Sequence, residues 1–170
     1  METAKAKMPS KRAWWILAIW LLATTIFLFW WRLINYGVFD PHSAWLDNAP
    51  LTVSGEQTPL TGKHIYHVRS GCYCDVLANR HVDLMAAYPD YQQHRVSATD
   101  MRKMGIPVPS TPMLVVVEQG NVIYAGPYAA GPNCSPSASF IPQIIGPERN
   151  ITTPWYNGNV SACRCAETAG

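Results

Sequence analysis

Charge is the scarcest thing in this chain. Asp, Glu, Lys and Arg make up 14% of its 170 residues, against roughly 25% in an average soluble protein. Part of the chain must therefore avoid water. The formal net charge is only +2, and no basic stripe follows the N-terminus, so no nucleic-acid partner is expected. Neither a Gly-x-Gly-x-x-Gly loop nor a Cys-x-x-Cys-His motif occurs; a dinucleotide or haem would leave such a mark, and no cofactor is expected. Internal repeats and low-complexity tracts are also missing.

The missing charge is explained by one stretch. "AWWILAIWLLATTIFLFWW", Ala13 to Trp31, carries no ionisable side chain and lies between Arg12 and Arg32. A helix needs roughly 20 apolar residues to cross a bilayer, so residues 13–32 read as a transmembrane helix. Trp14, Trp15, Trp30 and Trp31 mark its two ends, where indoles favour the headgroup region. A cleaved signal peptide has a shorter apolar region, about 7–15 residues, and a small-residue exit; this run is longer and leaves through "WWRLINYG". It reads as an uncleaved anchor. Lys5, Lys7, Lys11 and Arg12 precede it, and after Arg32 no Lys or Arg appears until Lys63. The positive-inside rule puts residues 1–12 in the cytoplasm and the rest on the exported side, where disulfides are permitted.

Residues 33–60, with Pro41, Pro50 and Pro59 and no sustained period, read as a linker, with "LTVSG" a candidate strand at its end. "KHIYHVR", Lys63 to Arg69, reads as a strand. From Cys74 to Tyr88, the residues Cys74, Leu77, Ala78, His81, Val82, Leu84, Met85 and Tyr88 gather on one side of a helix, and Asp75, Asn79, Arg80 and Asp83 fall largely opposite. "HRVSA" is a candidate second strand. "TDMRKMG" suits a short helix capped by Thr99 and stopped by Gly105. Met113 to Val117 and Val122 to Ala125 flank the turn "EQGN" and form a hairpin. A last short helix follows Ser135, limited by Pro142. The tail, residues 146–170, is turn-rich and ends in "SACRCAETAG".

This order places the pair Cys72-Tyr73-Cys74 between a strand and a helix, ahead of "STPMLVVVEQGNVIYAGPY". It resembles the thioredoxin-like superfamily over roughly residues 61–145: an α/β fold with a central mixed sheet flanked by helices. In that family a cis-proline opens the hairpin beside the cysteines; the resemblance assigns Pro112 that place and makes Thr111 a contact for bound thiol substrates. The whole layout also resembles an uncharacterised family of bacterial membrane-anchored thioredoxin-like proteins with a GCxC motif, one later cysteine and a C-terminal pair, here Cys72, Cys74, Cys134, Cys163 and Cys165. That second resemblance implies an architecture and no established activity. The chain reads as a single-pass inner-membrane protein with a periplasmic thioredoxin-like domain, expected to be a thiol–disulfide oxidoreductase acting on exported protein thiols or disulfides. The usual spacing of the redox pair is Cys-x-x-Cys; here one residue fewer separates the cysteines, and Gly71 stands where a tryptophan is usual.

Thiolates attack disulfides, so the attacking cysteine needs access and a lowered pKa. Cys72, just ahead of a helix N-terminus, is the expected nucleophile, and Cys74 on the apolar face the resolving partner. Asp75 opposes the Cys72 thiolate slightly. A Cys72–Cys74 bond would close a very short ring, a poor staple and a plausible oxidant or isomerase centre. Five cysteines cannot all pair within one chain. The tail pair Cys163 and Cys165 either exchanges with Cys72 in a relay, or one of its members bridges to Cys134 and pins a mobile tail. Alternatively the two Cys-x-Cys pairs hold a soft metal such as copper(I), or the whole is a redox-inert scaffold. His81 lies about 10 Å along the helix from Cys74, too far to share a metal with it, and is expected in the core; no metal ligands are assigned. His64 and His67 fall on opposite faces of their strand.

Overall fold

The computed structural model describes residues 10–45, 51–53 and 61–167. Lys5, Lys7, Pro50, Pro59 and the end of "LTVSG" lie outside the described residues. Two compact units, residues 1–34 and 35–170, are described separately.

The first unit holds α1, Lys11–Ile34. Ser10 caps it, accepting from the Ala13 N–H at 3.4 Å. Its stretch Lys11–Trp31 is long and apolar enough to cross a membrane. Its large apolar side chains are exposed all round, from Trp14 to Ile34. The hydroxyls inside it are satisfied within the helix: Thr24 donates to the carbonyl of Trp20 at 2.9 Å and Thr25 to that of Leu21 at 2.7 Å. Neither hydroxyl is left without a partner.

The second unit is α/β. Its elements in chain order are β1 (Tyr36–Val38), β2 (Lys63–Arg69), α2 (Tyr73–Met85), β3 (Gln92–Ser97), α3 (Ala98–Lys103), β4 (Ser110–Thr111), β5 (Met113–Glu118), β6 (Asn121–Gly126), α4 (Ile141–Ile144), β7 (Trp155–Tyr156), β8 (Ser161–Cys163) and β9 (Cys165–Ala166). A five-stranded mixed sheet has the order β3-β2-β5-β6-β7. β2 runs parallel to β3, with α2 between them in the chain, and antiparallel to β5. β5 and β6 form the expected hairpin, and β7 lies parallel to β6.

The central strands are apolar on both faces, and alternation sorts them into two cores. Tyr66, Val68, Met113, Val115 and Val117 pack with Met101 of α3 and with Phe39, Trp45 and Leu51. Ile65, Leu114, Val116 and Tyr124 pack with Ala78 and Met85 of α2 and Ile141 and Ile144 of α4. The second set buries the apolar face of α2, while Asn79, Arg80 and Asp83 are exposed. Two residues depart from the expected faces: Leu84 is exposed, and Asp75 is buried.

Other expectations are corrected. The cap of α3 is Ser97, whose Oγ accepts from the Asp100 N–H at 3.1 Å, and not Thr99. Pro142 lies in the first turn of α4 and does not end it, because a helix tolerates proline where its N–H would be unpaired. Part of the expected linker is folded. Phe39, Trp45 and Leu51 are too apolar to stay in water and are buried, Trp45 Nε1 donates to the Pro107 carbonyl at 3.1 Å, and β1 pairs with β8. The tail is likewise folded up to residue 167: β7, β8 and β9 each pair with earlier strands.

Candidate functional site

The site begins where β2 ends. Gly71 takes φ +84°, a region that favours glycine, and the chain turns into α2 with Cys72 as its N-cap residue. Three residues on, the Asp75 carboxylate reaches back. Its Oδ2 accepts from the N–H groups of Ser70 at 3.1 Å, Gly71 at 2.6 Å and Cys72 at 3.1 Å. These donors would otherwise be left over at the helix start. Among the described residues, its Oδ1 is buried without a partner.

β4 and Pro112 come alongside from the other direction. The Thr111–Pro112 peptide is cis, in the place expected for Pro112. Thr111 is fully buried. Its Oγ1 meets Ser70 Oγ at 2.5 Å, which ties the two loops together.

The tail closes the site. β9 pairs antiparallel with β4, Thr111 opposite Cys165 and Ser110 opposite Ala166. The Glu167 N–H extends the ladder to the Pro109 carbonyl at 3.2 Å. Thr111 Oγ1 donates to Glu167 Oε1 at 3.2 Å, so Ser70 is the donor to Thr111. Arg102 Nη2 of α3 lies 3.2 Å from Glu167 Oε2. Just upstream, Cys163 is held by its N–H to the Gly131 carbonyl at 2.9 Å.

Because the tail runs antiparallel past the motif, the cysteines pair crosswise. Cys72 is bonded to Cys165 (Cα–Cα 6.5 Å) and Cys74 to Cys163 (5.8 Å). The anticipated Cys72–Cys74 bond is not formed. Cys163 and Cys165 project to the same side of an extended chain, and each meets a different cysteine of the helix start. The two bonds differ in access. Cys74 and Cys163 are buried, whereas Cys72 and Cys165 are half-buried. The soft-metal alternative needs these four sulfurs as free thiolates.

Cys134 neither bridges to the tail nor joins the other cysteines. It is a free, buried thiol whose pKa burial pushes up to about 12. Its carbonyl accepts from His81 Nε2 at 3.0 Å, and the other ring nitrogen of His81 meets Ser139 Oγ at 3.1 Å. His81 is thus a fully buried core histidine, with its pKa lowered by burial. His67 and His64 do leave β2 on opposite faces. His67 Nδ1 accepts from Tyr128 at 2.8 Å and Nε2 donates to Gln93 Oε1 at 3.2 Å. His64 pairs with His94 at 3.1 Å. Among the described residues, no three His, Cys, Asp or Glu side chains are gathered as a metal-ligand set.

Sequence reasoning missed Asp75 as an organiser, and Ser70, Arg102 and Glu167 altogether. Asp75 had a signal, since an acid three residues after the N-cap is capping-box spacing. The others had none; only the return of the tail brings them together.

No curated protein and no solved structure matches the chain. A family model described as a domain of unknown function, DUF6436, matches residues 42–167. That span starts after α1 and contains all five cysteines, Thr111 and Pro112. It covers most of the chain, which therefore belongs to the DUF6436 family.

Proposed function

We propose that this protein is a thiol–disulfide oxidoreductase with a thioredoxin-like domain, held by α1 in an inner membrane with its domain in the periplasm, and acting on exported protein thiols. One observation carries the reading: the half-buried Cys72–Cys165 disulfide lies at the start of α2, with Cys165 in register with Thr111 beside cis-Pro112. The strand order β3-β2-β5-β6, with Cys72 between β2 and α2 and Cys74 in the first turn of α2, supports the thioredoxin-like assignment.

The chemistry follows from access and charge. A thiolate of a partner dithiol attacks Cys72 Sγ, the Cys72–Cys165 bond breaks, and Cys165 leaves as thiolate and takes up a proton. The partner's second thiolate attacks its own sulfur in the mixed disulfide. The Cys72 thiolate departs, favoured by the partial positive charge of the helix start. The partner dithiol is oxidised, Cys72 and Cys165 are reduced, and two electrons and two protons are transferred. Cys74 is less open to attack, because it is buried and bonded to Cys163.

Cys72→Ser in the full chain should abolish oxidation of a model dithiol peptide while Cys74–Cys163 stays intact. Full activity in that variant overturns the reading.

A redox-inert clamp is the second reading, favoured by the sequence separations of 93 and 89 residues that the bonds bridge. Closing loops of that length stabilises by about 4–5 kcal/mol in the chain-entropy model. Yet the bonds are nested. Once one is formed, the other closes only a small ring and adds little. Survival of both bonds in mild reductant, with no mixed disulfide to any thiol, would favour the clamp.

A further inference from the structure

The tail lies along the edge of β4 beside Thr111. β9 adds to the short strand β4 as an extended segment, through backbone pairing from Thr111–Cys165 to Pro109–Glu167. Backbone pairing gives affinity without regard to sequence, and side-chain contacts then select. Along an extended chain, residues two apart share a face. Cys165 and Glu167 both face the domain: the first is bonded to Cys72, and the second meets Thr111 Oγ1 and Arg102 Nη2, each at 3.2 Å. Ala166, between them, is exposed.

We propose, resting on the oxidoreductase reading above, that the preferred substrate is an extended segment carrying Cys-x-Glu, and that Cys165-Ala166-Glu167 is a resident copy of it. Arg102 and the Thr111 hydroxyl read the carboxylate, and the middle position is free. The substrate cysteine thiolate attacks Cys72 Sγ, the Cys72–Cys165 bond breaks, and the Cys165 thiolate leaves with the tail. The segment takes the place of β9, with its own sulfur now bonded to Cys72. Arg102 is a positioning residue, because it touches the carboxylate two residues from the reacting sulfur.

The test uses the full chain carrying Cys165→Ser and Glu167→Gln, in which Cys74–Cys163 still holds the tail and Cys72 is free. Amidated peptides containing Cys-Ala-Glu, Cys-Ala-Gln or Cys-Ala-Lys are supplied as mixed disulfides with 5-thio-2-nitrobenzoate. Cys72 attacks the peptide sulfur and the coloured thiolate leaves, which gives the rate directly. The Glu peptide should react about fivefold faster than the Gln peptide, the scale of one partly exposed ion pair, and the Lys peptide should be slowest. Adding Arg102→Gln should shrink the preference to what the Thr111 hydroxyl alone supplies. Equal rates for the three peptides, or a preference undiminished by Arg102→Gln, overturn the Cys-x-Glu proposal alone. Failure of Cys72 to react with any peptide overturns the oxidoreductase reading beneath it. With all cysteines native, Glu167→Gln should make Cys72–Cys165 about fivefold easier to reduce in a dithiothreitol series, leaving Cys74–Cys163 unchanged; no shift there also overturns the proposal.

Discussion

At the scale of single residues, the Asp75 carboxylate organises the turn that presents Cys72. One oxygen gathers three consecutive N–H groups, and a charged acceptor strengthens each bond. Asp75→Ala leaves those donors unpaired at a helix start. It should cost about 2–3 kcal/mol in denaturant unfolding, and Asp75→Asn less. His67 gives a pH prediction. Burial first, then neighbouring Arg69 and Arg95, holds its pKa down at about 4 against the ordinary 6.5, while its bond to Gln93 acts the other way. The unfolded chain therefore binds the extra proton first. Stability is complete above the unfolded value and is lost as pH falls from about 6.5 through about 4, by up to about 3 kcal/mol. NMR should find the folded His67 ring still neutral at pH 5.5. The reason is visible in its bonds: Tyr128 donates to one nitrogen, and the other donates to Gln93, whose amide in turn donates to the Met85 carbonyl.

At the scale of elements, the outer disulfide joins β9 to the N-cap residue of α2, and the inner one joins β8 to the first turn of α2. Exchange requires a thiolate to reach sulfur, so the half-buried bond should open first. Graded reduction followed by alkylation and mass spectrometry should label Cys72 and Cys165 before Cys74 and Cys163. Cys134 should stay unlabelled until the protein unfolds, because its thiol is buried and protonated. Hydrogen exchange should then show β9 amides losing protection on mild reduction while β5 and β6, in the middle of the sheet, keep theirs. β9 pairs with the two-residue strand β4, and the Glu167 N–H adds one bond to Pro109, so it depends on the disulfide in a way that β5 does not.

At the scale of the whole molecule, the nested bonds make a distinct stability pattern. Removing either disulfide alone should cost little chain entropy, because the other still closes the long loop. Removing both should cost about 4–5 kcal/mol, read from denaturant midpoints of the single and double pair-to-serine variants. The apolar helix α1 makes its own prediction. Its side chains are exposed along its length, so the full chain should need detergent for extraction. A protease added outside an intact membrane that holds the chain should reach the domain if Lys11 and Arg12 lie on the cytoplasmic side.

Sequence alone determined the features that depend on local pattern. The long apolar helix came from a charge-free run between Arg12 and Arg32. β2, α2 and the β5–β6 hairpin followed from periodicity and turn residues, and the cysteine pair from its place at a strand-to-helix junction. These are short-range effects of burial and backbone preference, and they are legible one window at a time. Tertiary structure alone decided the rest. Nothing local in "SACRCAETAG" says that it returns to Thr111. The pairing of Cys72 with Cys165 and Cys74 with Cys163, the retreat of Cys134 into the core, and the meeting of Arg102 with Glu167 all depend on that return. Contacts between residues so far apart in the chain arise from where separate elements come to rest, and no residue pattern in either segment encodes the distance between them.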